Sequence, residues 1–143
     1  MAVEGYSNED WMAQGVTLEG SYSPTQLFTA EDDIKTAAGT FAAGNDVAVL
    51  TILARNADDE LVQWDPTAVD ADVSEATPVG VAAADMDTSA TGYNAAVMGP
   101  YYVQACFNPD LLVWPAGLAS GTHEEKSAAL EKAGAPFRVK HLL

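Results

Sequence analysis

The sequence predicts a mainly β domain with one short α-helix in its C-terminal region, preceded by an extended N-terminal arm. Between residues 47 and 107, short β-branched and apolar runs alternate with turn residues, which is typical of strands. Start and stop signals for one helix follow over residues 122–136. No helical or strand period persists through residues 1–43. We therefore divide the chain into an arm, residues 1–43, and a β-rich domain, residues 44–143.

The arm is rich in Gly, Ser, Thr and Ala, with isolated aromatic residues. Large apolar side chains scattered on a weakly hydrophobic background suit a segment that becomes ordered on a partner. An irregular N-terminus that packs on its own domain explains the same composition equally well. The candidate anchors to a partner are the five aromatic residues Tyr6, Trp11, Tyr22, Phe28 and Phe41.

Five apolar segments predict the strands that precede the helix. Residues 47–53 (VAVLTIL) predict one buried strand, and residues 61–64 and 78–84 predict two more. Gly80, inside the last of these, indicates a bulge or a close approach of another chain segment. The runs on either side of Gly99-Pro100 predict a hairpin, whose second strand extends to Phe107.

The helix has a complete set of end signals. Thr122 and Glu125 have the spacing of a capping box, with Thr122 as the N-cap residue. Gly134 is the expected left-handed residue after the last turn, and Pro136 follows as a stop. Residues 137–143 then predict a final strand.

Composition limits the possible partners. Six Lys and Arg residues against 21 Asp and Glu residues give a net charge of −15. This charge disfavours direct nucleic-acid binding and anionic membranes, because both depend on basic side chains. The single Cys106 excludes an internal disulfide. We find neither a signal peptide nor an apolar run long enough for a membrane, so we expect synthesis in a cytoplasm.

The acidic stretch over residues 60–87 is a candidate for a metal site or a catalytic site. Asp70, Asp72 and Ser74 match the first three ligand positions of a calcium loop. Glu75 then stands where an EF-hand needs glycine, and Val81 where it needs a bidentate glutamate. Cys106 lies inside a predicted strand, and no nucleophile or phosphate-binding motif occurs. We therefore expect no metal, no cofactor and no enzymatic activity.

Trp64 and Trp114 each end a short apolar run and meet a proline, in LVQWDP and LLVWPAG. Tryptophan at a strand end commonly packs in the core or at its rim. Tryptophan is also enriched at subunit interfaces. Trp64, Trp114 and Pro115 are therefore candidates either for the core or for a contact between subunits.

The order of these segments resembles the head decoration proteins of lambdoid tailed bacteriophages. The shared pattern is an apolar strand, a polar turn, an "LV-W-D" segment, a loop and an Ala-rich strand that ends in Asp. A hairpin, "VWP", a capped Glu/Lys helix and "KAGAPFRV" follow. The resemblance covers roughly residues 45–143, whereas the arm matches only loosely.

This resemblance implies a β-tulip fold and a homotrimer on the outer surface of the virion. Such a trimer binds the expanded head at three-fold positions and cements major capsid protein subunits against DNA pressure. The arm of the family adds to strands of the capsid protein. The implied partners are the major capsid protein of a tailed phage and other copies of this chain, with no contact to DNA or membrane.

Two other function classes remain open at the level of the sequence. A small acidic carbohydrate- or calcium-binding β module is the main alternative, with Tyr93, Tyr101 and Tyr102 as a sugar platform. A hydrolase that uses a pair of carboxylates is a weaker one, because such a pair is spatial and has no sequence motif.

Overall fold

The structure is a computed structural model that describes residues 26–30, 33–89 and 95–141. Three of the candidate anchors, Tyr6, Trp11 and Tyr22, lie outside the described residues, as does Tyr93. The described chain is mainly β with one α-helix near its C-terminal end, which confirms the predicted fold class.

Nine strands, two 3-10 helices and one α-helix make up the described chain. The strands are β1 Lys35–Phe41, β2 Asp46–Val47, β3 Ile52–Arg55, β4 Leu61–Gln63, β5 Pro78–Ala82, β6 Met86–Asp87, β7 Val97–Gln104, β8 Cys106–Phe107 and β9 Arg138–Val139. The 3-10 helices are η1 Asp70–Ala76 and η2 Pro109–Leu111, and the α-helix is α1 His123–Ala133.

Five strands close a small barrel in the order β1-β4-β3-β5-β7. β1 closes it, because it pairs antiparallel with β7 along its whole length and parallel with β4 at Phe41. Two small sheets lie outside the barrel: β2 with β6, antiparallel, and β8 with β9, parallel. No helix among the described residues is long and apolar enough to span a membrane.

Buried residues lie on both faces of β3 and belong to two separate clusters. One cluster takes a residue from each barrel strand and fills the interior: Phe41, Leu53, Leu61, Ala82 and Tyr101, together with Val47. The other lies between the barrel and α1, and it contains Ile52, Ala54, Trp64, Val81, Ala105, Phe107, Leu112, Trp114, Leu130 and Phe137. Successive residues of β3 alternate between the two clusters, as the two-residue period of a strand requires.

Gly80 is a point of close approach, as the sequence predicts. A Cβ atom added there would lie 2.4 Å from the carbonyl oxygen of Tyr102 and 2.6 Å from the Tyr101 ring. Carbon atoms pack at about 3.5–4.0 Å, so only glycine lets β5 come this near to β7.

The prediction of one strand over residues 47–53 is wrong, because the chain turns at Leu50. Leu50 has a left-handed φ of 68°. In this conformation its N–H donates to the carbonyl of Ala82 at 2.8 Å, and its carbonyl accepts from the N–H of Val113 at 2.9 Å. Left-handed backbone at a non-glycine residue costs about 1–3 kcal/mol. The two hydrogen bonds to distant segments offset this cost, and no local signal reports them.

The predicted hairpin at Gly99-Pro100 is also wrong, because both residues lie inside the continuous strand β7. Gly99 faces Gly39 and Pro100 faces Ala38 on β1. Proline removes one donor from the ladder, but the Pro100 carbonyl still accepts from the N–H of Ala83 at 3.2 Å. The predicted continuation to Phe107 is interrupted at Ala105, whose carbonyl accepts from the N–H of Arg138 at 3.0 Å.

The helix begins and ends where the sequence predicts. The Thr122 hydroxyl accepts from the N–H of Glu125 at 3.2 Å, and the Glu125 carboxylate accepts from the N–H of Thr122 at 2.9 Å. Gly134 follows in the left-handed region, with a φ of 78°. Leu130 is buried against the second cluster. The predicted final strand is shorter than expected and consists of β9 alone.

The described structure overlaps the predicted arm, and there the chain belongs to the barrel domain. Residues 35–41 form β1, which has only one large apolar side chain, that of Phe41. Its strand propensity is therefore weak, and its pairing with β7, about 60 residues away, fixes it. β1 therefore lies with the barrel, although it precedes the boundary predicted at residue 43.

Candidate functional site

Residues 26–30 form an isolated β-bridge at the edge of the small sheet of β8 and β9. The N–H of Thr29 donates to the carbonyl of Cys106 at 3.0 Å, and the N–H of Asn108 donates to the carbonyl of Leu27 at 2.7 Å. Phe28 thereby forms an antiparallel bridge with Phe107. Residues 26–30 thus add to β8 on the side opposite β9.

Phe28, a candidate anchor to a partner, packs on its own domain. Its ring lies 5.5 Å from the Tyr102 ring, edge to face, and 5.7 Å from the Phe107 ring. Phe41 is 1% exposed in the barrel interior. Phe28 and Phe41 therefore fit the alternative interpretation, in which the N-terminal segment packs on its own domain.

The structure places Trp64, Trp114 and Pro115 in the core. The indole N–H of Trp64 donates to the carbonyl of Ala76 at 2.9 Å, and that of Trp114 donates to the carbonyl of Pro109 at 2.8 Å. Each indole thus has a partner for its polar atom, as buried tryptophan requires.

The acidic loop between β4 and β5 is a solvated connection. Its 3-10 helix η1 contains no buried residue, and Asp70 and Asp72 are exposed. Two valines of the same loop, Val69 and Val73, are also exposed, at 66% and 59%. The loop therefore presents a small apolar pair among carboxylates.

Asp85 and Asp87 stabilise turns. A carboxylate oxygen of Asp85 accepts from the N–H of Val49 at 2.7 Å. One oxygen of Asp87 accepts from both the hydroxyl and the N–H of Ser89, at 2.6 and 2.9 Å. The hydroxyl contact and then the backbone contact lower the pKa of Asp87.

Tyr101 and Tyr102, the described residues of the alternative sugar platform, pack against other residues of the domain. Tyr101 is 6% exposed, and its hydroxyl accepts a hydrogen bond from the Arg55 guanidinium at 3.0 Å. Tyr102 belongs to the aromatic cluster with Phe28 and Phe107. The Tyr101 ring is therefore buried, and the Tyr102 ring is half-buried against Phe28 and Phe107.

The structure brings together three residues that the sequence analysis did not connect, Asp110, His123 and His141. One Asp110 oxygen lies 2.8 Å from Nε2 of His123, and the other lies 3.2 Å from Nε2 of His141. The two imidazole rings stack with their centroids 3.9 Å apart. The three residues come from η2, from the first position of α1 and from the segment after β9. Separations of 13 and 18 residues carry no local signal for such a cluster.

A hydrogen bond from its backbone N–H to the Asn108 side chain holds Asp110 in place. The fully buried Asn108 caps η2, because its side-chain oxygen accepts from the N–H of Asp110 at 3.1 Å. The hydrogen bond from His123 is the main cause that lowers the pKa of Asp110. Burial opposes this lowering of the pKa, whereas the charge of Lys126, and that of each histidine when it is protonated, adds to it.

Comparison with known proteins decides the family. The family of the bacteriophage lambda head decoration protein D matches residues 17–135. The chain belongs to this family. The match covers the barrel, α1 and part of the predicted arm, and it stops before β9 and His141. No curated protein matched the chain.

Family membership gives the protein a structural role as a decoration protein of a phage head, located in the virion capsid. The family is one of structural capsid proteins rather than of enzymes. The resemblance noted in the sequence is thus confirmed at the level of the family.

Proposed function

We propose that this head decoration protein binds as a homotrimer to the outer surface of the expanded head and cements neighbouring major capsid protein subunits. The trimers would occupy three-fold positions and resist the pressure of packaged DNA. The observation that carries the proposal is the family match, which spans the whole barrel and extends into the arm.

The arm is the proposed contact with the capsid protein. Residues 26–30 are already paired to β8 through main-chain hydrogen bonds. A chain that continues from such a segment is suited to strand addition, in which main-chain bonds supply affinity and side chains supply specificity. The proposed capsid-contacting residues are then the aromatic side chains before Gln26, namely Tyr6, Trp11 and Tyr22.

A protein that binds the expanded head more tightly than the unexpanded head can stabilise the expanded head without catalysing any reaction. A protein that binds only the expanded lattice stabilises it by RT ln(1 + [L]/Kd). Three linked contacts in a trimer increase the effective affinity, because the second and third contacts form intramolecularly. The net charge of −15 is compatible with an outward-facing position that does not touch the genome.

Deletion of residues 1–25 tests the arm. This deletion leaves every described contact in place, whereas deletion to residue 43 would also remove β1 from the barrel. We expect the shortened protein to keep its circular dichroism and melting temperature but to lose most of its affinity for expanded heads in co-sedimentation. The triple variant Tyr6→Ala, Trp11→Ala, Tyr22→Ala should show the same loss. Unchanged affinity of both variants would refute the assigned role of the arm.

The trimer is tested by light scattering on the purified protein and by its stoichiometry on heads. Expanded heads that lack their own decoration protein should bind the full chain in multiples of three, and unexpanded heads should bind little. A strictly monomeric protein at micromolar concentration that also fails to bind expanded heads would contradict the proposal.

Substitutions of exposed apolar side chains can identify the surface that contacts another subunit or the head. Val69 and Val73 lie on the acidic loop, and Met98, 68% exposed, lies on β7. Serine at Val69 and Val73, or at Met98, should leave the fold intact because neither site is buried. Whichever variant lowers the trimer fraction or head binding identifies the face that a neighbour covers.

A further inference from the structure

The geometry points to a zinc-type metal site formed by Asp110, His123 and His141. Two imidazole nitrogens and one carboxylate oxygen, all within 4.8 Å of one another, converge on one region of the surface. Imidazole and carboxylate are both ligands of Zn²⁺, and three protein ligands with a fourth, open position are a common arrangement. The site goes beyond the capsid role, and His141 lies outside the residues that the family matches.

The distances require only a small rearrangement. Zinc bonds of about 2.0–2.1 Å place tetrahedral ligand atoms roughly 3.3 Å apart. The Asp110 oxygens already lie 2.8 and 3.2 Å from the two Nε2 atoms. Binding must tilt the stacked rings so that both nitrogens face one point, and His141 has room to move. Its side chain is 35% exposed, and it follows β9 rather than lying inside a strand.

Two features fix the ligands beforehand. Asn108 caps the turn that carries Asp110, and the Thr122–Glu125 capping box fixes the helix start that carries His123. Ligands that are held by neighbouring hydrogen bonds bind a metal with less loss of conformational entropy. A bound metal would therefore link His141, which follows β9, to η2 and α1, whose N-terminal ends are already capped.

The electrostatic terms partly oppose each other. The N-terminus of a helix repels a cation, and so does the positive charge of Lys126, which also acts on Asp110. Glu124 and Glu125 lie in the same first turn and offset this repulsion. Asp110 supplies a further negative charge directly at the site, and the whole chain carries a net charge of −15.

Solution NMR of the untagged protein tests the site directly. The chain has two histidines, so the His123→Gln and His141→Gln variants assign both imidazole signals. On titration with Zn²⁺ both signals should shift together and saturate at one ion per chain. Co²⁺ should give the visible absorption of a tetrahedral site with nitrogen and oxygen ligands. Saturating Zn²⁺ at about 100 times its Kd should raise the melting temperature by roughly 5–10 °C.

Three variants and one control complete the test. Asp110→Asn, His123→Gln and His141→Gln should each weaken Zn²⁺ binding by more than the roughly 10–100-fold that loss of an outer-shell partner causes. Asp72→Asn removes one exposed carboxylate from η1 and should bind Zn²⁺ like the wild type. The proposal is overturned if the wild-type imidazole signals do not saturate together, or if Asp110→Asn binds Zn²⁺ as tightly as the wild type. If one of these variants fails to fold, the titration of the wild type decides alone. Head binding is not needed for any of these measurements, so a negative result leaves the proposed capsid function untouched.

Discussion

Replacement of Phe41 by alanine tests whether this residue is part of the core or an anchor to the capsid. Phe41 is 1% exposed and packs with Leu53, Leu61 and Tyr101 in the barrel interior. A Phe→Ala change at a buried site costs about 3–5 kcal/mol, which combines lost hydrophobic burial with the cavity that remains. The total stability of a domain is about 5–15 kcal/mol, so this variant should lose a large fraction of it.

Urea unfolding followed by tryptophan fluorescence measures the loss, because Trp64 and Trp114 are buried. The conservative variant Phe41→Leu refills most of the cavity and should lose less than about 1.5 kcal/mol. Met98→Ala is the matched control on an exposed site of the neighbouring strand and should change stability by less than about 0.5 kcal/mol. A Phe41→Ala protein that keeps its urea midpoint but loses head binding would refute the core assignment and restore Phe41 to the arm.

Two further predictions concern the close contact at Gly80 and the contribution of Asp110 to stability at low pH. Gly80→Ala should destabilise the protein by about 1–3 kcal/mol, because the new Cβ would lie 2.4 Å from a backbone oxygen. Gly117→Ala has open space around the new Cβ and should be near neutral in the same urea assay. The pKa of Asp110 is lowered from its ordinary value of 3.8. Asp110 therefore stabilises the fold above that value, and this contribution is lost as pH falls through the folded pKa. Asp110 is about half exposed, so the contribution should stay below about 1 kcal/mol. In Asp110→Asn the melting temperature should fall less steeply as pH drops below 4. A pH dependence equal to that of the wild type would contradict the contacts assigned to Asp110.

The strands illustrate where local signals fail. The turn at Leu50 and the continuity of β7 through Pro100 both depend on hydrogen bonds to residues far along the chain. β1 has so few large apolar residues that the sequence alone groups it with the arm. In each case a distant partner strand decides the backbone conformation, and propensity is overridden by pairing.

The sequence by itself determined the class of the fold, the capped helix and the family. Helix caps and turns act within about four residues, so Thr122, Glu125 and Gly134 suffice to define α1. Only the tertiary structure decided that Phe28 and Phe41 pack on their own domain and that Asp110, His123 and His141 meet. Burial and clustering depend on which distant strands pair, and that pairing is a property of the whole barrel rather than of any segment.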